Sequence, residues 1–107
     1  MTELDKLEQY LRENRIKYER IDDDGEVAKE MMIRSGMEYP DGYGERHQII
    51  VYDDKGKQVW DAICHWGSYG YEQGLLEVMG DPVVRNSDGD SVCGWLTAQD
   101  IIDRLGG

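Results

Sequence analysis

Leu4, Leu7 and Leu11 recur three and four residues apart directly after Thr2, so the chain opens with a capped amphipathic helix of about three turns that stops at Asn14. Arg15-Ile16-Lys17-Tyr18-Glu19-Arg20-Ile21 then alternates polar and apolar, which predicts a short strand, and its charged residues suit a sheet edge. Asp23 with Glu26 three residues on has the form of a capping box. Val27, Ala28, Met31 and Met32 supply the stripe of a second helix, ending at Gly36. Met37 to Glu45 is rich in turn formers and reads as an exposed loop carrying Tyr39 and Tyr43.

The clearest pattern comes next. Arg46 to Tyr52 and Lys57 to His65 read as two strands, and Asp53-Asp54-Lys55-Gly56 between them is a hairpin connection with Gly in the left-handed position. Ser68 is placed to cap a third helix through Gln73, Leu75, Leu76 and Met79 that ends at Gly80, although Gly70 and Gly74 weaken it. Pro82 to Arg85 and Ser91 to Trp95 predict two more strands around the turn Asn86-Ser87-Asp88-Gly89-Asp90. Thr97 and Asp100 cap a last helix carrying Ile101, Ile102 and Leu105 and closing at Gly106. The order αβαββαββα predicts an α+β fold: an antiparallel or mixed sheet of about four or five strands packed by about four helices. The length fits a single domain over residues 1–107. With no phenylalanine in the chain, Trp60 and Trp95 are expected in the core.

Charge changes this picture most. There are 23 acidic and 12 basic residues, a net charge of −11. Residues 1–20 balance, with Glu3, Asp5, Glu8, Glu13 and Glu19 against Lys6, Arg12, Arg15, Lys17 and Arg20. Residues 22–54 hold ten acids against Lys29, Arg34 and Arg46. Such a field repels nucleic acid and anionic membranes, since phosphate binding needs cations to displace counterions. It favours a protein partner with a basic surface, a nuclease among the candidates, besides helping solubility. No apolar run is long enough to span a membrane, and Met1-Thr2-Glu3-Leu4-Asp5 does not read as a secretion signal, so a cytoplasmic protein with reduced Cys64 and Cys93 is expected.

The densest chemistry lies in Cys64-His65-Trp66-Gly67-Ser68-Tyr69-Gly70-Tyr71. A thiol nucleophile at Cys64 needs His65 or His47 as base, but successive strand residues point to opposite faces, so the adjacent Cys64 and His65 do not meet on a strand. Cys64, Cys93, His47 and His65 are ligand types for zinc without its close ligand pairs. The acidic turns lack the calcium-loop spacing: from Asn86, glycine falls fourth instead of sixth and Thr97 stands where glutamate is needed. Gly67, Gly70 and Gly74 form neither phosphate-binding motif and have no lysine near. The expectation is therefore no catalytic residue, no metal and no cofactor. Trp66, Tyr69 and Tyr71, with Tyr39 and Tyr43, have the composition of a protein contact surface. Together with Asp22, Asp23, Asp24, Glu26, Glu38 and Asp41 they make the candidate partner-binding set. The alternative is a small enzyme or metal-binding domain using Cys64, His65 and His47.

The segments RHQIIV, WDAICHWGSYGYEQGLLEVMG and DGDSVCGWLTAQDII resemble those of small proteins found on bacterial mobile elements, over about the last two-thirds of the chain. In profile, small, acidic and without a catalytic signature, the chain is similar to phage anti-defence proteins, including anti-CRISPR and anti-restriction inhibitors. That resemblance implies a DNA mimic whose carboxylates in residues 22–54 stand in for phosphates.

Overall fold

The computed structural model describes residues 1–80 and 92–106. Helix α1, Glu3–Glu13, begins at a full capping box: Thr2 Oγ1 accepts from the Asp5 N–H at 3.1 Å and Asp5 Oδ2 accepts from the Thr2 N–H at 2.9 Å. Its Leu4, Leu7 and Leu11 are buried. Asn14 caps the C-terminus, Arg15 turns into the left-handed region, and the Arg15 and Ile16 N–H groups donate back to Arg12 and Leu11, a Schellman closure. That closure consumes residues 14–17, so strand β1 runs over Tyr18–Asp23 and not from Arg15.

Helix α2, Glu26–Arg34, starts from a left-handed Gly25 and not from an Asp23 capping box. Asp23 and Asp24 each accept instead from a backbone N–H two residues on, Gly25 at 2.8 Å and Glu26 at 3.1 Å. Local side-chain turns have won over the reciprocal cap. No residue of α2 is fully buried.

Strands β2, Arg46–Tyr52, and β3, Gln58–Ile63, form the expected hairpin, and Asp53 Oδ1 accepts from Lys55 N and Lys57 N, both at 2.9 Å, to hold the turn. The expected helix from Ser68 to Met79 is not formed. Ser68 bonds back to His65, Gly70 and Gly74 both take positive φ, and only one 3-10 turn forms over Tyr71–Gln73. Leu76–Met79 is instead strand β4, with Leu76 and Val78 buried at a period of two. Two left-handed glycines stop a helix, whereas pairing with β3 satisfies the backbone of both strands. β5, Val92–Leu96, and α3, Ala98–Arg104, follow. Thr97 and Asp100 make the anticipated capping box. The predicted strand Pro82–Arg85 and turn Asn86–Asp90 lie outside the described residues.

The architecture is α+β, with three helices among the described residues where four were expected, and a five-stranded antiparallel sheet in the order β1-β2-β3-β4-β5. β1 is at the margin, as its charges suggested. α1 and α3 lie side by side and are joined where the Ala98 N–H donates to Glu3 Oε1 at 2.8 Å. Leu7, Leu11, Ala98 and Ile101 pack with Ile49, Val51, Trp60, Ala62, Leu76, Val78 and Leu96 into one core. Trp60 is 3% exposed, but Trp95, also expected inside, is 57% exposed. Its φ of 56° sits at the irregularity of the β4–β5 ladder, which turns the ring outward onto Tyr69. Among the described residues no helix is long and apolar enough to cross a membrane.

Candidate interaction surface

Register places Tyr18, Arg20 and Asp22 of β1 opposite Val51, Ile49 and His47 of β2. Tyr18, Val51 and Ile49 join the core, and Arg20, Asp22 and His47 continue the same face into a line of charges. Arg20 Nη1 bonds Asp5 at 2.8 Å and Glu8 at 3.1 Å, both on α1, while its Nε bonds Asp22 Oδ2 at 3.0 Å. Asp22 Oδ1 meets His47 Nδ1 at 2.8 Å, and His47 Nε2 meets Glu45 Oε1 at 3.0 Å. The Tyr71 hydroxyl donates to Glu45 Oε2 at 2.6 Å, which together with burial pushes the phenol up to about 12. One chain of hydrogen bonds therefore links α1, the sheet margin and the 3-10 turn.

This arrangement sets the protonation of both histidines. Burial disfavours a charged His47, but two carboxylates on its two ring nitrogens outweigh it and raise the imidazole above its ordinary 6.5. His65 goes the other way. Its Nδ1 accepts from the His47 N–H at 3.0 Å, and burial, with Arg46 and His47 adding repulsion, lowers its pKa. His47 stabilises the fold fully below about pH 6.5 and loses that contribution as pH rises through its raised value. His65 contributes above about pH 6.5 and loses it as pH falls through its lowered value. Chemical denaturation of wild type and His47→Gln between about pH 5 and about pH 9 should show the wild-type advantage shrinking toward high pH.

Beside this line is a cavity of about 230 Å³ bounded by Asp5, Arg20, Asp22, His47, Cys64 and Leu76. The thiol in it is not activated: burial, with the Glu45 charge behind it, raises the Cys64 pKa. His47 is held by two carboxylates, and His65 Nδ1 accepts from the His47 N–H. Among the described residues no group of three or more His, Cys, Asp or Glu side chains is arranged to hold a metal ion, and Cys64 and Cys93 are unpaired thiols.

The aromatic candidates fall into two patches. Tyr39, Tyr43 and Trp66 form one cluster, Tyr43 meeting Trp66 edge-on at 5.0 Å and Tyr39 at 6.3 Å. Tyr69 stacks on Trp95 at 5.0 Å in the other. Tyr71 belongs to the charge line through Glu45, and so does Asp22 through Arg20 and His47. Asp23, Asp24, Glu26, Glu38 and Asp41 are exposed around α2 and its loop. What sequence reasoning did not reach is the apolar part of this surface: Val27, Met31 and Ile33 of α2 are 73%, 65% and 62% exposed, and Met37 beyond it is exposed too. The signal was present in Ile33, which lies off the Val27–Ala28–Met31–Met32 stripe and leaves α2 apolar on more than one side.

Two backbone contacts join this surface to the fold. Gly25 and Gly44 meet backbone to backbone, such that a Cβ on Gly25 would stand 2.6 Å from the Gly44 carbonyl carbon. The Trp66 N–H donates to Glu45 O at 2.8 Å and fixes the turn after β3 beside the same loop. Between α2 and that turn runs an open groove of about 500 Å³ lined by Val27, Ala28, Met31 and Trp66, with Asp23 at its edge. Compared with family models, curated proteins and solved structures, the chain matches none of them.

Proposed function

We propose that this chain is an acidic protein-binding module, an inhibitor or adaptor of a nucleic-acid-handling protein, of the phage anti-defence, anti-CRISPR-like kind. The observation that carries the proposal is α2: a helix with no buried residue, exposing Val27, Met31 and Ile33, with exposed Asp23, Asp24 and Glu26 at its start and Glu38 and Asp41 in the loop beyond it. Large apolar side chains left in water on a helix mark a contact surface, and the surrounding charge selects the partner. Asp23, Asp24, Glu26, Glu38 and Asp41 favour a basic partner such as a nuclease and oppose direct contact with nucleic acid. A DNA-mimic mode fits that charge distribution. The module is read as non-enzymatic, with no cofactor. The alternative, thiol or metal chemistry at Cys64, His65 and His47, is the weaker reading because the thiol is raised and both imidazoles are engaged. The cytoplasm, where nucleases and their substrates meet, is the compartment this role implies.

The test is retention of a bacterial nuclease or other nucleic-acid-binding protein on the immobilised domain, with mass spectrometry of what is held. The partner should be retained at low salt, released by competing duplex DNA, and bound at least about tenfold more weakly by a Glu26→Lys, Glu38→Lys, Asp41→Lys triple variant. Retention that is indifferent to salt, to DNA and to these reversals would remove the proposal.

A further inference from the structure

The groove between α2 and the Trp66 turn has an apolar lining, an acidic edge and two walls held in place, a combination that defines a seat for one kind of segment. Val27 and Met31 are one helical turn apart along one wall, and Trp66, pinned through Glu45 O and packed on Tyr43, is the other. The backbone contact of Gly25 with Gly44 fixes how α2 leaves the sheet, so little of the groove must be ordered on binding. Asp23, which lines the groove, and Asp24 after it each use a single carboxylate oxygen on a backbone N–H and remain exposed, as does Glu26 two residues on. Of the nearby cations, Lys29 faces Glu45, leaving Arg46 as the positive charge in the lining.

We propose that this groove receives a cationic amphipathic helix of a partner protein, whose apolar side chains enter between Met31 and Trp66 while its lysines or arginines reach Asp23, Asp24 and Glu26. The proposal rests on the protein-binding reading above and narrows it to one site and one kind of element. A helix is favoured over an extended strand because the α2 wall offers side chains and no free backbone edge. A strand lying there would leave its own N–H and C=O groups unpaired, whereas a helix satisfies its own. Met31 in the α2 wall suits such a guest, since its unbranched, polarisable side chain adapts to differing apolar shapes.

The probe is a lysine–leucine peptide of about 18 residues, long enough to be helical alone, with leucines on one face. A scrambled peptide of the same composition and a glutamate–leucine version serve as comparisons. Binding is read by fluorescence anisotropy of labelled peptide against wild type, Met31→Glu and Val27→Glu, whose exposed positions leave the fold intact by circular dichroism. The seat predicts that the patterned cationic peptide binds best and that each variant weakens it at least tenfold. The direction discriminates, because an added carboxylate strengthens attraction that depends on charge alone. Equal or tighter binding by Met31→Glu, equal binding of the scrambled peptide, or preference for the glutamate version overturns the seat. So does concentration-dependent dimerisation of wild type that Met31→Glu abolishes, since the occupant is then a second copy of this chain. The two readings fail separately. A nuclease held equally by wild type and Met31→Glu removes the seat and leaves the binding module, whereas peptide binding with no basic protein retained leaves the seat and removes the nuclease.

Discussion

Arg20→Met is expected to lower stability at neutral pH by about 2 kcal/mol, several times what any exposed ion pair in this chain contributes. Arg20 bridges Asp5, Glu8 and Asp22, at 2.8, 3.1 and 3.0 Å, and its side chain is 19% exposed. Removing one partner from a fully buried pair costs about 3–5 kcal/mol, because the remaining charge is left without compensation. Here the three carboxylates retain partial contact with water, which reduces that figure. The loss must depend on pH in a defined direction. The backbone N–H of Thr2, followed by the Arg20 guanidinium, holds Asp5 down at about 2, and hydrogen bonds from His47 and Arg20 also hold Asp22 low against its burial. Carboxylates depressed in the folded state stabilise it above their ordinary values and lose that contribution as pH falls through the depressed ones. The wild-type advantage over Arg20→Met should therefore be full at pH 7 and shrink between about pH 4 and about pH 2, as read by urea denaturation. Arg34→Met is the control. Its pair with Glu30 is exposed on both sides, so a change within about 0.5 kcal/mol is expected. A flat difference across pH, or equal losses in the two variants, would show that Arg20 acts only through its aliphatic packing.

The sequence made legible those parts of the fold whose physics is local. Thr2 with Asp5 and Thr97 with Asp100 are capping boxes closed within three residues, and the hairpin turn at Asp53–Gly56 is held by Asp53 itself. Residues 68–79 were not legible, because Leu75, Leu76 and Met79 fit a helical stripe while Leu76 and Val78 fit a strand. The decision came from β3, whose edge needed a partner. A count of acids could not tell Asp22, turned onto Arg20 and His47, from Asp24, turned onto the Glu26 N–H; the register of β1 on β2 separates them. Trp95 broke its strand's alternation through a single positive φ that no spacing announces. For α2 the stripe was visible, but a stripe does not say what meets it. Val27 and Met31 stay 73% and 65% exposed, and that is where the functional reading begins.

Whether that surface is presented depends on Gly25, and Gly25→Ala is expected to be the second large perturbation, about 2–4 kcal/mol. Two costs add. Gly25 has φ of 79°, where a residue with a Cβ is strained by about 1–2 kcal/mol. The new Cβ would also stand 2.6 Å from both Gly44 C and Tyr43 O, backbone atoms that yield only if the loop before β2 moves. Gly36→Ala separates these costs, since Gly36 has φ of 71° with nothing within 4 Å of its Cβ position, leaving strain alone at about 1–2 kcal/mol. The difference between the two variants measures the contact of α2 with the Tyr43–Gly44 loop. Because Tyr43 packs edge-on against Trp66, moving that loop should also change Trp66 emission in Gly25→Ala and leave it unchanged in Gly36→Ala. Gly25→Ala should weaken the cationic helical peptide by widening the groove, whereas Gly36→Ala should bind it as wild type does. Equal stability losses with unchanged emission in both would mean that α2 is attached by its chain connection alone, and that the groove between it and Trp66 is not a fixed seat.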